Sequence, residues 1–324
     1  MKTIFSTIDN LRSAAITVAA YGCFAVNDAL MKLVMLDLPQ LQAIFFRGLI
    51  VVPLLALLAT CRGELIGHIS NVDRWMLVGR MLGDVATTFA VLGAIHSGPM
   101  ADVAVILGAQ PLCVMIGAAV CLGERIDRAS WAMGFIGLLG VVLVARPNAR
   151  MGLSPHAVLA MLGNVFGVAR DLLARRISDA VPATQIATFS AVAVTTASGL
   201  LGACADGWAD PAPREVGLLA VSSTLLAIAQ VGGVLQMRLG DVGFVQPFRY
   251  SYIVWCMLLG ILVFQQFPDG WTLAGAAVVA GCGIAALVCE RRRSLLAPKG
   301  ACRLKEESTD IEVPPTKEDA VPTL

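Results

Sequence analysis

Gln246, Arg249 and Tyr250 stand at i, i+3 and i+4 inside an apolar run, so on a helix they share one face, which Ile253 and Met257 extend. That face carries an amide, a guanidinium fork and a phenol beside apolar surface, which suits a small organic molecule with an anionic or carbonyl group. Arg47 lies in another apolar run. Neither it nor Arg249 has an acidic residue three or four positions away, so each needs a partner on another helix, a water-filled cavity or a ligand. An interhelical salt bridge from Arg249 to Asp84 or Asp102 is the competing reading. Gln110 adds an amide next to Pro111, which removes a backbone hydrogen bond and is expected to kink its helix beside a cavity.

Three further pairs are spaced to meet on one helix face: Asp28 with Lys32, Arg80 with Asp84, and Asp171 with Arg175. Ionisable groups at membrane depth are expensive and mark functional sites by default, so each pair has two readings. It either neutralises itself locally or handles solute and protons.

Other chemistries lack their motifs. There is no H-E-x-x-H, no G-x-S-x-G and no P-loop, and His68, His96 and His156 lie near the ends of apolar runs. The nine cysteines show no spacing for a metal site or a disulfide framework. An intramembrane enzyme and a passive channel are therefore the weaker classes, and no cofactor is expected. The partners expected are a small-molecule substrate and the lipid bilayer, not nucleic acid; the oligomeric state is left open.

The elements that must position these residues dominate the chain. Of 324 residues, 57% are hydrophobic and 15% charged, the net charge is +1 and the mean hydropathy is +0.77, which excludes an ordinary soluble domain. Spanning a bilayer takes roughly 20 mostly apolar residues per helix. About ten such stretches occur, at 13–34, 38–60, 75–95, 100–122 and 129–145, then 155–177, 183–205, 216–237, 242–264 and 271–289. The expected fold class is an all-α polytopic membrane protein of ten transmembrane helices. A β-barrel does not fit, because its strands alternate apolar and polar residues and 216–230 is apolar on nearly all sides.

With the amino terminus inside, about twelve Lys and Arg fall on the inner side and about four outside, so both termini are expected in the cytoplasm. Shifting the sequence by about 142 residues lays the segment 122–127 over 264–269 and the Gly-rich 131–144 over 273–286. At a shift of 143, Asp28-x-x-x-Lys32 falls on Asp171-x-x-x-Arg175. An odd number of spans per unit makes the second copy enter the membrane from the opposite side, giving two inverted five-helix repeats with a midplane site between them. The expected domains are a cytoplasmic segment 1–12, repeats over 13–146 and 154–289, and a disordered tail over 290–324.

Phe46-Arg47-Gly48, the Pro-containing run that ends in Leu122-Gly123-Glu124, and Gln246-Pro247-Phe248-Arg249-Tyr250 together resemble the EamA-type transporters of the drug/metabolite transporter superfamily. The resemblance covers residues 14–289. Gln265-Gln266 departs from it, standing where Gly-Glu is common in that family. It implies a central cavity lined from both repeats, alternating access without nucleotide hydrolysis, and location in the inner membrane. Solutes handled in that family include amino acids, riboflavin, nucleotide-like metabolites and S-adenosylmethionine. Tyr252 and Trp255 beside the arginines favour a riboflavin-like heterocycle or an amino acid.

Overall fold

A computed structural model describes residues 7–64, 69–122, 128–145, 153–174, 176–178, 180–204, 207–239 and 246–296. The described regular elements are all helical: α1 (Thr7–Val34), α2 (Gln40–Cys61), α3 (Asn71–Ser97), α4 (Met100–Gly108), α5 (Gln110–Leu122), α6 (Arg128–Ala145), α7 (Pro155–Ala174), α8 (Ala183–Ala203) and α9 (Pro213–Leu239). A 3-10 turn (Gln246–Tyr250), α10 (Ser251–Phe264) and α11 (Gly270–Leu296) follow. Among the described residues, six helices are long and apolar enough to cross a membrane, among them Ala14–Val34, Asn71–Ser97 and Pro213–Gly232, and four shorter apolar stretches accompany them. The molecule is thus a multi-pass helical membrane protein.

Two of the expected spans are not plain α-helices. The stretch 100–122 breaks between α4 and α5, where Ala109 donates its N–H to the Ile106 carbonyl at 3.2 Å. Pro111 has no N–H for the Leu107 carbonyl, which is why the ladder fails there. Asn164 of α7 adds a second donor to the Ile106 carbonyl at this break, its Nδ2 lying 2.9 Å away. The stretch expected over 242–264 is described from Gln246 and begins as a 3-10 turn containing Pro247. In that tighter winding i and i+3 eclipse, so the α-helical face drawn through Gln246, Arg249 and Tyr250 does not form as expected.

Packing runs across the chain's two halves: α1 lies on α9, α3 on α7, α2 on α8, α4 on α10 and α6 on α11. Small residues permit these approaches. A Cβ added to Gly48 of α2 would sit 2.0 Å from Thr195 Oγ1 of α8, and one on Gly163 of α7 would sit 2.8 Å from Val91 Cγ2 of α3. At Gly275 of α11 it would meet Val144 Cγ2 at 2.3 Å and the Gly140 carbonyl oxygen at 2.8 Å. Because backbone cannot rotate aside, Gly275→Ala is expected to push α6 and α11 apart and cost about 1–3 kcal/mol, read as a lowered Tm in detergent. Gly217→Ala, with nothing within 4 Å of the new methyl, is the control and is expected to be neutral or slightly stabilising.

Beside these seams, Ala25, Ala94, Met100, Ala104, Ile106, Ala157, Ala160, Ile253 and Val279 form the largest buried cluster.

Candidate functional site

A cavity of about 250 Å³ opens between the two halves, lined from α1 by Tyr21, Phe24 and Asp28, from α3 by Thr87 and Val91, and from the α4–α5 break by Leu107, Gly108 and Gln110. The second half contributes Arg170 of α7, Arg249 and Tyr250 of the 3-10 turn, and Tyr252 and Ile253. Local geometry explains much of this lining. Tyr21, Phe24 and Asp28 stand at i, i+3 and i+7, and Thr87 and Val91 at i and i+4, so each set shares one helix face. Gly108 lets α4 approach α10, since a Cβ there would fall 2.7 Å from Ile253 Cδ1.

One wall is aromatic and carries two charges. Arg249 Nε donates to the Tyr21 hydroxyl, and the guanidinium lies 5.5 Å from that ring's centroid, a cation–π arrangement. Tyr21 meets Tyr252 edge-on at 6.3 Å. The Tyr252 hydroxyl donates to Asp28 Oδ2 at 2.6 Å, and Asn27 Nδ2 donates to Asp28 Oδ1 at 2.9 Å. Asn27 is in turn held by Ser222 of α9, whose hydroxyl donates to its Oδ1 at 2.8 Å.

The opposite wall is an ionic network. Arg170 donates through Nη1 to Asp84 Oδ1 at 3.1 Å and through Nε to Asp171 Oδ1 at 3.0 Å. Ser190 of α8 donates to Asp84 Oδ2 at 2.5 Å, and Arg80 Nε lies 3.8 Å from that oxygen. Gln110 Nε2 donates to Asp171 Oδ2 at 2.9 Å, which ties the broken helix to α7. Two side-chain oxygens of lining residues, Tyr250 Oη and Thr87 Oγ1, are buried without a hydrogen-bond partner among the described residues.

The structure brings Asp28, Gln110, Arg249 and Tyr250 to one cavity and connects Arg80, Asp84 and Asp171 to its wall through Arg170. The expected Arg80–Asp84 pair forms. The expected Asp28–Lys32 pair does not: Lys32 donates to the Gly98 carbonyl and lies 5.0 Å from the Phe264 ring centroid, while Asp28 turns to Asn27 and Tyr252. Tertiary donors have outcompeted the neighbour four residues away. The suggested Arg249 bridges do not form either, since Asp84 is taken by Arg170 and Ser190, and Asp102 by Thr272 at 2.5 Å with His156 at 3.9 Å.

Arg47 is buried on α2 and is not among the described lining residues. The Gln246 side chain, Arg175 and Glu124 lie outside the described residues. Gln266 ties the α10–α11 turn to α4, its Oε1 accepting from the Met100 N–H at 3.3 Å. The sequence reading missed Tyr21 and Thr87 as site residues. The i, i+3, i+7 spacing of Tyr21, Phe24 and Asp28 is the signal that marks the first.

A multi-pass helical membrane protein with a solute-sized, mixed-charge cavity between its halves has the form of a membrane transporter. Residues 12–146 match the model of the EamA-like transporter family, and the relatives are named as transporters of small metabolites. Over 278 residues, 84% of this chain and 95% of the relative, it is 29% identical to the pseudopaline exporter of Pseudomonas aeruginosa (strain UCBPP-PA14). It is 28% identical over 184 residues to a riboflavin transporter of Rhizobium johnstonii, covering 57% of this chain and 60% of that protein. It is 21% identical over 259 residues to an S-adenosylmethionine uptake transporter of Rickettsia prowazekii, covering 79% and 85%. A solved crystal structure shares the fold with a TM-score of 0.62 at 22% identity, over 87% of this chain and 98% of that one.

Proposed function

We propose that this protein is a secondary-active transporter of the inner membrane that carries a small, zwitterionic, amino-acid-like metabolite by alternating access. Its two halves, 13–146 and 154–289, act as inverted five-helix repeats, with both termini in the cytoplasm. The reciprocal packing supports this reading. The first helix of one half lies on the third of the other in both directions (α1 on α9, α7 on α3), and the second helices face each other (α2 on α8). A two-fold axis in the membrane plane exchanges these pairs.

The observation that carries the substrate class is the cavity's polarity: Arg170 and Arg249 place guanidinium groups there, Asp28 a carboxylate, and the Tyr250 and Thr87 hydroxyls have no hydrogen-bond partner among the described residues. A buried hydroxyl left unpaired costs about 1–3 kcal/mol, which a bound solute can offset. A carboxylate at the arginines and an ammonium at Asp28 satisfy both poles. The space, about 250 Å³, equals roughly eight waters at liquid density. That suits an amino acid. The ring wall of Tyr21, Phe24 and Tyr252 also supports a planar riboflavin-like heterocycle, for which the cavity would have to widen. The relatives named for pseudopaline, riboflavin and S-adenosylmethionine make all three compounds rational members of a screen.

The test is thermal unfolding of the purified protein with amino acids, flavins, nucleosides, S-adenosylmethionine and pseudopaline, followed by counterflow of the labelled hit in proteoliposomes. A true substrate at about a hundred times its Kd is expected to stabilise by about 2.7 kcal/mol. Tyr250→Phe is expected to weaken that binding while raising the unliganded Tm, since it removes the unpaired hydroxyl. No stabilisation by any class together with no counterflow would overturn the reading.

A further inference from the structure

Arg47 is only 7% exposed, and among the described residues its guanidinium makes no hydrogen bond and no ion pair. The acidic group it interacts with electrostatically is Asp28, whose two oxygens are already occupied by Asn27 and Tyr252. Their relative placement is set by α9. Ser222 donates to Asn27 Oδ1 at 2.8 Å, and the next residue, Ser223, donates to the Arg47 carbonyl at 3.2 Å. Adjacent residues of one helix therefore hold Asn27-Asp28 of α1 and Arg47 of α2 at the same level.

Leaving one charge of a buried pair without its partner costs several kcal/mol. Arg47 bears that cost here, with the Asp28 carboxylate within Coulombic range but hydrogen-bonded to Asn27 and Tyr252. The Tyr252 hydroxyl belongs to α10, whereas Arg47 is anchored to α9, so the two competitors for Asp28 sit on different helices. Any movement of α10 relative to α1 and α2 changes which of them wins.

We propose that Arg47 is a positioning residue for Asp28, taking over its carboxylate when α10 withdraws the Tyr252 hydroxyl. Asp28 is the one acidic side chain among the described residues lining the cavity. Turned towards Tyr252, it presents a carboxylate to a solute's cationic group; paired with Arg47, it leaves the cavity and lets that group go. Release is thereby tied to the conformational change. The inference rests on the alternating-access reading above and adds the residue that resets the site.

Hydrogen exchange of the full-length protein in lipid nanodiscs tests it without any solute, so a failure here is separable from a failure of the transport reading. Arg47→Gln removes the competing state and is expected to slow exchange in Ser251–Phe264 by at least about fivefold. Arg47→Lys should return exchange towards the native rate, and in an Asp28→Asn background Arg47→Gln should have no effect on it. Tyr252→Phe gives the opposite shift, delivering Asp28 to Arg47 and slowing exchange in Gln40–Cys61. A purely packing role predicts faster exchange around either substitution. Unchanged or faster exchange in Ser251–Phe264 for Arg47→Gln, or in Gln40–Cys61 for Tyr252→Phe, overturns the proposal.

Discussion

Arg249→Ala is expected to weaken solute binding about 10- to 100-fold, corresponding to the loss of about 1.5–3 kcal/mol for a hydrogen bond to a charged group. The guanidinium is placed for this role. It lines the cavity, is held against the Tyr21 ring, and commits its Nε to the Tyr21 hydroxyl. The Tyr21 hydroxyl and ring contact that are lost are worth about 1 kcal/mol to folding. Arg249→Lys should recover part of the affinity, since it restores the charge but not the planar fork. The readout is ligand-dependent thermal stabilisation, with the unliganded Tm measured alongside. A solute whose affinity is unchanged in Arg249→Ala would move the site elsewhere.

The largest stability effect is expected at Asp84. Its carboxylate accepts from Arg170 at 3.1 Å and Ser190 at 2.5 Å and lies 3.8 Å from Arg80, so it joins α3, α7 and α8. Asp84→Ala leaves Arg80 without its ion-pair partner and Arg170 with Asp171 alone. Removing one member of a buried pair costs about 3–5 kcal/mol, and the low end applies because Asp171 remains. Asp84→Asn keeps one acceptor oxygen for the two donors and loses the charge, and should fall between the native protein and the alanine variant. Thermal unfolding in one detergent compares all three. An unchanged Tm in Asp84→Ala would show that the network does not bear on stability and that Arg80 finds water instead.

Much of the fold was legible because the bilayer leaves so few solutions. Backbone polar groups must be satisfied internally, so long apolar runs become helices wherever they fall. The break near Pro111 was legible for the same local reason, a missing N–H. The shared face of Gln246, Arg249 and Tyr250 was drawn on an α-helix, and Pro247 stands in a 3-10 turn that rewinds it. Arg249 and Tyr250 still reach the cavity because the elements around the turn, not its internal period, direct them there.

The candidate site divides along the same line. Arg80 and Asp84 could be paired on paper, since four residues along a helix is a distance that backbone geometry alone sets. Asp28 and Lys32 have the same spacing and do not pair, because Tyr252 lies 224 positions from Asp28 and Gly98 lies 66 positions from Lys32. By itself the chain's chemistry determined a helical membrane protein, the charges that had to be buried in it, and which of them could meet within one turn. Only the tertiary structure decided that Arg249 stacks on Tyr21, that Arg170 joins Asp84 to Asp171, and that Asp28 bonds to Tyr252. Those choices depend on which helices are brought side by side, and no local spacing encodes that.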